Sequence, residues 1–475
     1  MASLLLVLPF IILLIINLPF KWNIRNIVFY ICILMSLVQI SIALTMDTSF
    51  IKDHMAFITQ IFNLNSTPDN FTYLMILSIA IVFMCSVIVG RGMFIKDDTR
   101  LFNYLNLMIL ILIGMNGVVL VNDIFTMYVF LEITAVSSFI LIALEKKKES
   151  IEGAFKYFLL SAIATVLLLI SISLIYFISS GTSFVAVNNA LSANSGRYIH
   201  LAMIVFFVAL FIKGGIVPFH GWLPDAYSTA PNSVSVLLAG IVTKVTGIYT
   251  IIRLCVSVFH ADARINTLFL VLGAVSVVFG ALSALTQTNF KRMLAYSSIS
   301  QIGYIILGLG TGTILGMAGA VFHLFNHSVF KSLLFINSAA VEDRTGTENL
   351  NELGGLQAKM PVTSITSLIA FLSTAGIPPL SGFWSKLIIV VALWQSGNVV
   401  FAFIAVIASV ITLAYFLNLQ RYVFFDKLKE GLENVTEAKY EYVFPAVFLA
   451  LITICAGVFF HNVINTIIFP FGFKL

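Results

Sequence analysis

Charge is what this sequence lacks. Of its 475 residues only 10% are charged and just 21 are acidic. Soluble domains carry about 25% charged residues, so a water-soluble globular chain of this size is excluded. Cysteine is scarce too. Cys32, Cys85, Cys255 and Cys455 stand far apart inside apolar runs, with no CxxC pair among them. That argues against a disulfide framework, a zinc site or an iron–sulfur cluster. Neither a Walker loop nor a GxGxxG after a strand is present. The chain is therefore expected to hold no cofactor, no metal and no redox centre of its own. A net charge of +5 does not point to nucleic acid, because the basic residues gather in short loops.

What is there is apolar length. The chain is 60% hydrophobic, and runs of ~20 residues, each able to cross ~30 Å of hydrocarbon as a helix, recur along it. Backbone groups in lipid must pair within their own segment, and the short alternating stretches of a barrel are absent. The reading is an all-α polytopic membrane protein with about fourteen transmembrane helices. They are expected near 2–20, 27–45, 70–90, 101–121, 124–144, 156–179, 199–219, 233–256, 265–287, 291–310, 312–340, 362–395, 399–421 and 442–468. The N-terminal run has no basic flank or small-residue cleavage site, so it reads as a retained first span. Residues 1–475 form one membrane domain. The longest loops, 46–69, 341–361 and 422–441, are too short to fold alone.

Loop charge gives an orientation. Odd-numbered loops hold Lys21, Arg25, Arg91, Lys96, Arg100, Lys146, Lys147, Lys148, Lys156, Lys291, Arg292, Arg344, Lys359, Arg421, Lys427, Lys429 and Lys439. Even-numbered loops and the C-terminal tail hold only Lys52, Arg197, Arg264 and Lys474. The asymmetry places odd loops in the cytoplasm and both termini outside, in a prokaryotic inner membrane.

A few charges fall inside the spans, where each costs roughly 2.5–3.5 kcal/mol on insertion scales. Glu132 lies in YVFLEITAVSSF and is the one acidic residue deep in a span; Asp123 marks the join of the fourth and fifth spans. Lys213, Lys244 and Lys386 lie in VALFIKGGIVPFH, LAGIVTKVTGIY and SGFWSKLIIV. His323, His327 and Lys331, four residues apart in HLFNHSVFKSLLF, share one helix face. One ion pair could be a packing device. It leaves further lysines with no acid in a span to match them. Desolvation disfavours the charged form of such a lysine, which makes it able to release a proton. A metal site would need additional Cys, Asp or Glu ligands.

Two spans are interrupted. The seventh runs into KGGIVPFHGWLPDAYSTAP, with Pro218 and Pro224 among its breakers. The twelfth contains STAGIPPLSGFWSK, with Pro378 and Pro379. Proline and glycine clusters of this kind cannot continue a regular helix. Broken helices in corresponding halves suggest inverted repeats with an ion path at their interface. The repeats would cover 101–256 and 265–421, with Lys213 and Lys386 in the same place in each.

At these residues the chain resembles a known family. KGGIVPFHGWLPDAYSTAPNSVSVLLAGIVTKVTGIY, HLFNHSVFKSLLF and AGIPPLSGFWSK are similar to the motifs of antiporter-like subunits. Such subunits occur in respiratory complex I, Mrp-type cation/proton antiporters and energy-converting membrane-bound hydrogenases. The resemblance covers about residues 100–400. It implies a fourteen-helix fold with two inverted five-helix repeats. It also implies a proton path through Glu132, Lys213, Lys244, His323, His327 and Lys386. Implied partners are other membrane subunits, including related antiporter-like ones, together with peripheral redox subunits and the bilayer. The implied ion is the proton, with sodium the alternative in a Mrp-type assembly; a purely structural subunit is the remaining rival.

Overall fold

The structure is a computed structural model describing residues 2–18, 25–45, 68–94, 97–193, 197–259 and 262–465. Most of the expected loop 46–69, with Lys52, lies outside the described residues, as do Lys21, Lys96 and the last expected span beyond 465. Among the described residues the elements are helices, joined by turns and two isolated β-bridges. Ten helices are long and apolar enough to cross a membrane. The protein is a multi-pass membrane protein.

In chain order the helices are α1 (Ala2–Ile16), α2 (Arg25–Thr45), α3 (Asn70–Phe94), α4 (Asp98–Leu120), α5 (Ile124–Ile142), α6 (Lys148–Ser179), α7 (Phe184–Ala193), α8 (Arg197–Gly214), α9 (Trp222–Thr229) and α10 (Asn232–Phe259). There follow α11 (Ala263–Leu285), α12 (Phe290–Gly310), α13 (Ile314–Thr345), α14 (Pro361–Ala375), α15 (Ser381–Gln395), α16 (Val399–Gln420) and α17 (Tyr440–Val458). The chain forms two compact units. The first comprises 1–87, 94–215 and 241–261; the second comprises 88–93, 216–240 and 262–475.

Both expected breaks are present. α8 stops at Gly214, and Gly215 takes a left-handed φ of 66°. The expected twelfth span is two helices, α14 and α15, separated at Gly376 with φ 88°. Only glycine adopts these angles without a Cβ penalty. Pro218 and Pro379 each follow their glycine by three residues. Pro224 is corrected: it lies in the first turn of α9, where a missing N–H costs nothing, and does not break a helix. α10 carries wide π-type turns at Leu238–Val242, Lys244–Tyr249 and Cys255–Phe259. Such turns are rare and concentrate at functional sites.

Polarity divides the helices. α6 and α16 present Ile163, Val166, Phe177, Phe403, Ile407 and Val410 outward, as lipid-facing helices do. α12 and α13 are buried along nearly their whole length, hydroxyls, amides, histidines and lysines included.

Candidate functional site

In the first unit the site begins with the cap of α5. Asp123 accepts from the Thr126 amide at 2.8 Å and from the Thr182 hydroxyl at 2.6 Å, fixing where α5 starts. Two and a half turns on, α5 presents Glu132. Lys213, in the last turn of α8, donates to Glu132 Oε1 at 2.8 Å. Thr165 on α6 donates to the same oxygen at 2.8 Å, and Ser161 Oγ lies 3.4 Å from the ammonium. The pair is lopsided: the Lys213 side chain is 3% exposed and that of Glu132 25%. The carboxylate thus reaches this chain's surface in mid-span, and the lysine does not.

Lys244 is fully buried at the first position of a π segment. A Cβ on Gly247 would run into the Cα of Gly214, so this segment lies directly on the end of the helix carrying Lys213. Further along α10, Arg253 makes a two-pronged bond to Asp69 at 2.6 and 2.9 Å. Burial alone would raise the Asp69 carboxyl, but bonding to Arg253 and its charge bring it down to about 2.

The second unit holds His323, His327, Lys331 and Lys386. Lys386 Nζ donates to the Thr374 carbonyl at 2.8 Å and Ser409 Oγ at 3.3 Å, and lies 4.4 Å from the centre of the Tyr304 ring. Among the described residues no carboxylate pairs with it. Tyr304 hydroxyl bonds the Ala405 carbonyl at 2.6 Å and Ser409 at 3.0 Å. His323 Nδ1 is 2.9 Å from Ser385 Oγ, and its ring stands 6.2 Å from that of His327 in near-parallel planes. Lys331 donates to Ser297 Oγ at 2.7 Å and to the Leu294 carbonyl at 3.0 Å; Tyr415 also donates to Ser297. From the stripe on α13, Lys331 thus meets Ser297 on α12, while His323 meets Ser385 on α15.

The expected equivalence of Lys213 and Lys386 needs correction. Lys213 precedes its left-handed glycine by two residues, whereas Lys386 follows its own by ten. The residue matching Lys213 in register is Thr374, and its carbonyl receives the Lys386 ammonium. Sequence reasoning missed Ser297, Gln301, Tyr304, Tyr415, Ser385 and Ser409. The polar run of SSISQ inside α12 was the available signal. Lys291 is a second correction: read as a loop charge, it is buried between Glu342 and Glu348.

Residues 121–412 match the model of the NADH:quinone oxidoreductase/Mrp antiporter transmembrane family. The chain belongs to this family. A Na(+)/H(+) antiporter subunit from Alkalihalophilus pseudofirmus is 34% identical over 73% of this chain and 71% of its own length. An NADH-quinone oxidoreductase subunit from Parvibaculum lavamentivorans is 31% identical over 76% of each. Among solved structures, a chain of the membrane-bound sulfane sulfur reductase, an archaeal respiratory membrane complex, is 27% identical. It superposes with a TM-score of 0.84 over 98% of this chain and 96% of that one. As a family member the chain is an antiporter-like membrane subunit.

Proposed function

We propose that this chain moves protons across a prokaryotic inner membrane as one subunit of a redox-driven complex of the complex I or membrane-bound hydrogenase type. The observation that carries this reading is the Glu132–Lys213 pair: a buried ammonium held by a carboxylate that reaches the chain's surface. Charges ~4 Å apart interact by about 4 kcal/mol at an effective dielectric of ~20. A charge moved in an adjoining subunit can therefore draw Glu132 away or neutralise it, and Lys213 then loses its counter-charge and its proton. The proton passes through Lys244 and the histidines to Lys386, which discharges on the far side. Redox chemistry belongs to partner subunits, and this chain carries no cofactor. Related antiporter-like subunits and peripheral redox subunits are the partners.

The same reading takes the fold as fourteen spans in two inverted repeats, 101–256 and 265–421, with both termini outside. A repeated local device supports it. Asp123 caps α5 and bonds Thr182, while Asn289 caps α12 and bonds Glu348, each pair 59 residues apart. Each also makes one β-bridge, Asp123 to Ser183 and Asn289 to Asn349.

A Mrp-type sodium/proton antiporter subunit without redox partners is the second reading, favoured by the identity to the Alkalihalophilus antiporter subunit. Proton flux in vesicles separates them. Flux that needs an electron donor and is lost in Glu132→Gln supports the proposal. Sodium-dependent flux with no donor supports the alternative, and normal flux in both Glu132→Gln and Lys213→Ala sinks both.

A further inference from the structure

At the C-terminal end of α13 stands a second ionic group that the path above does not use. Lys291, in the first turn of α12 and 4% exposed, lies 3.1 Å from Glu342 Oε2 and 2.6 Å from Glu348 Oε1. Asn232 Nδ2 donates to Glu342 at 2.7 Å, and Asn289 Nδ2 to Glu348 at 3.0 Å. One ammonium faces two carboxyls, so the group is one positive charge short of neutral.

We propose that Glu342 and Glu348 form a proton-loading pair, taking one proton from the end of α13 that loop charge assigns to the cytoplasm and passing it inward along α12. On uptake the triad with Lys291 goes from one net negative charge to neutral. Asn232 Oδ1 points to the same place: it is a buried acceptor on a side chain aimed at Glu342, with no donor among the described residues. Burial raises the Glu348 carboxyl above the usual range; Lys291 opposes this and the Glu342 charge adds to it. Two neighbouring charges of each sign are matched. Arg292 pairs with Asp225 at 2.6 Å, and Lys439 with Asp343 at 2.8 Å. Arg344, Glu352, Glu441 and Tyr442 are further charged and titratable groups on this side.

The inward route is a helix face. Lys291, Leu294, Ser297, Ser298, Gln301 and Tyr304 recur at three- and four-residue spacing on α12. Lys331 binds the Leu294 carbonyl and Ser297, one to two turns from Lys291. Tyr304 lies at the other end, against Lys386. Gln301, fully buried, holds a donor and an acceptor that no described residue uses.

This rests on the proton-transfer reading for its purpose, but its first test does not need flux. Infrared pH-difference spectra of the whole chain in proteoliposomes should show a protonated carboxyl band titrating above the ~4.3 of free glutamate. Glu348→Gln and Glu342→Gln, both near-isosteric, should each remove it, while Glu132→Gln should leave it. In wild-type complex that pumps, Glu348→Gln should slow proton uptake about tenfold with melting temperature unchanged. A band absent from wild type, or unchanged in both variants, overturns the pair. Loss of the band with uptake at the normal rate overturns its loading role. Failure of the path itself would show separately, as normal flux in Glu132→Gln and Lys213→Ala.

Discussion

Lys213 and Lys386 both bring an ammonium to a helix end closed by a left-handed glycine, and they differ in what meets it there. Lys213 faces a carboxylate at 2.8 Å, while Lys386 faces a carbonyl, a hydroxyl and a tyrosine ring. A full counter-charge holds a buried lysine in its charged form; dipoles and a ring face hold it less firmly. Under the proposed proton transfer, the first unit would keep a proton until a carboxylate moves, and the second would part with one. Glu132 reaches the surface and Lys386 is buried, so in that proposal control would enter through the acid and not through the lysines.

The largest break in this comparison comes from removing the counter-charge. Glu132→Gln or Lys213→Ala should bring proton flux in reconstituted vesicles to background while the subunit still assembles. Glu132→Gln should also cost stability, since an unpartnered buried charge costs roughly 3–5 kcal/mol. Next, Ser409→Asp would give Lys386 the partner that Lys213 has. Flux should fall about tenfold, equal to ~1.4 kcal/mol, with the fold intact by thermal melting. If flux is unchanged, the difference between the two lysines has no kinetic meaning. Smaller is Gly376→Ala, which forces a Cβ into a left-handed turn whose φ is 88° and should destabilise by ~1–2 kcal/mol. Gly376→Ala should then lower the melting temperature more than alanine at the exposed Gln395.

The smallest effect is a pH control. Asp69 is depressed to about 2 by Arg253. A carboxyl lowered in the folded state contributes stability that is full above its unfolded value, ~3.9, and fades as pH falls through about 2. Melting in detergent should therefore show no loss from this clamp between pH 7 and 4. The advantage over Asp69→Asn should shrink as pH falls from about 4 to about 2.

Much of the fold was legible because lipid makes simple demands. Runs of apolar residues marked the helices, and KGGIVP and AGIPP marked both breaks. Glu132 and the lysines stood out because a charge in a span is costly. What sequence could not show was reach. Lys386 is ten residues from its glycine in sequence, and only its side chain returns it to Thr374. Lys291 read as a loop charge because it begins a helix, and its burial depends on carboxylates more than 50 residues away in the chain. The hydroxyls and amide of α12 read as ordinary polar residues until α13 was seen against them. The π turns around Lys244 depend on hydrogen-bond register, which composition does not encode.

The polarity of α13 has a consequence for how the chain is made. It is long enough to cross a membrane but is not among the helices apolar enough to do so. The insertion machinery, weighing it alone, has weak reason to release it sideways into lipid. Its lysine finds Ser297 and the Leu294 carbonyl on α12, a helix synthesised just before it. The polar residues of α13 are the ones that make its entry into the membrane a joint event with its predecessor.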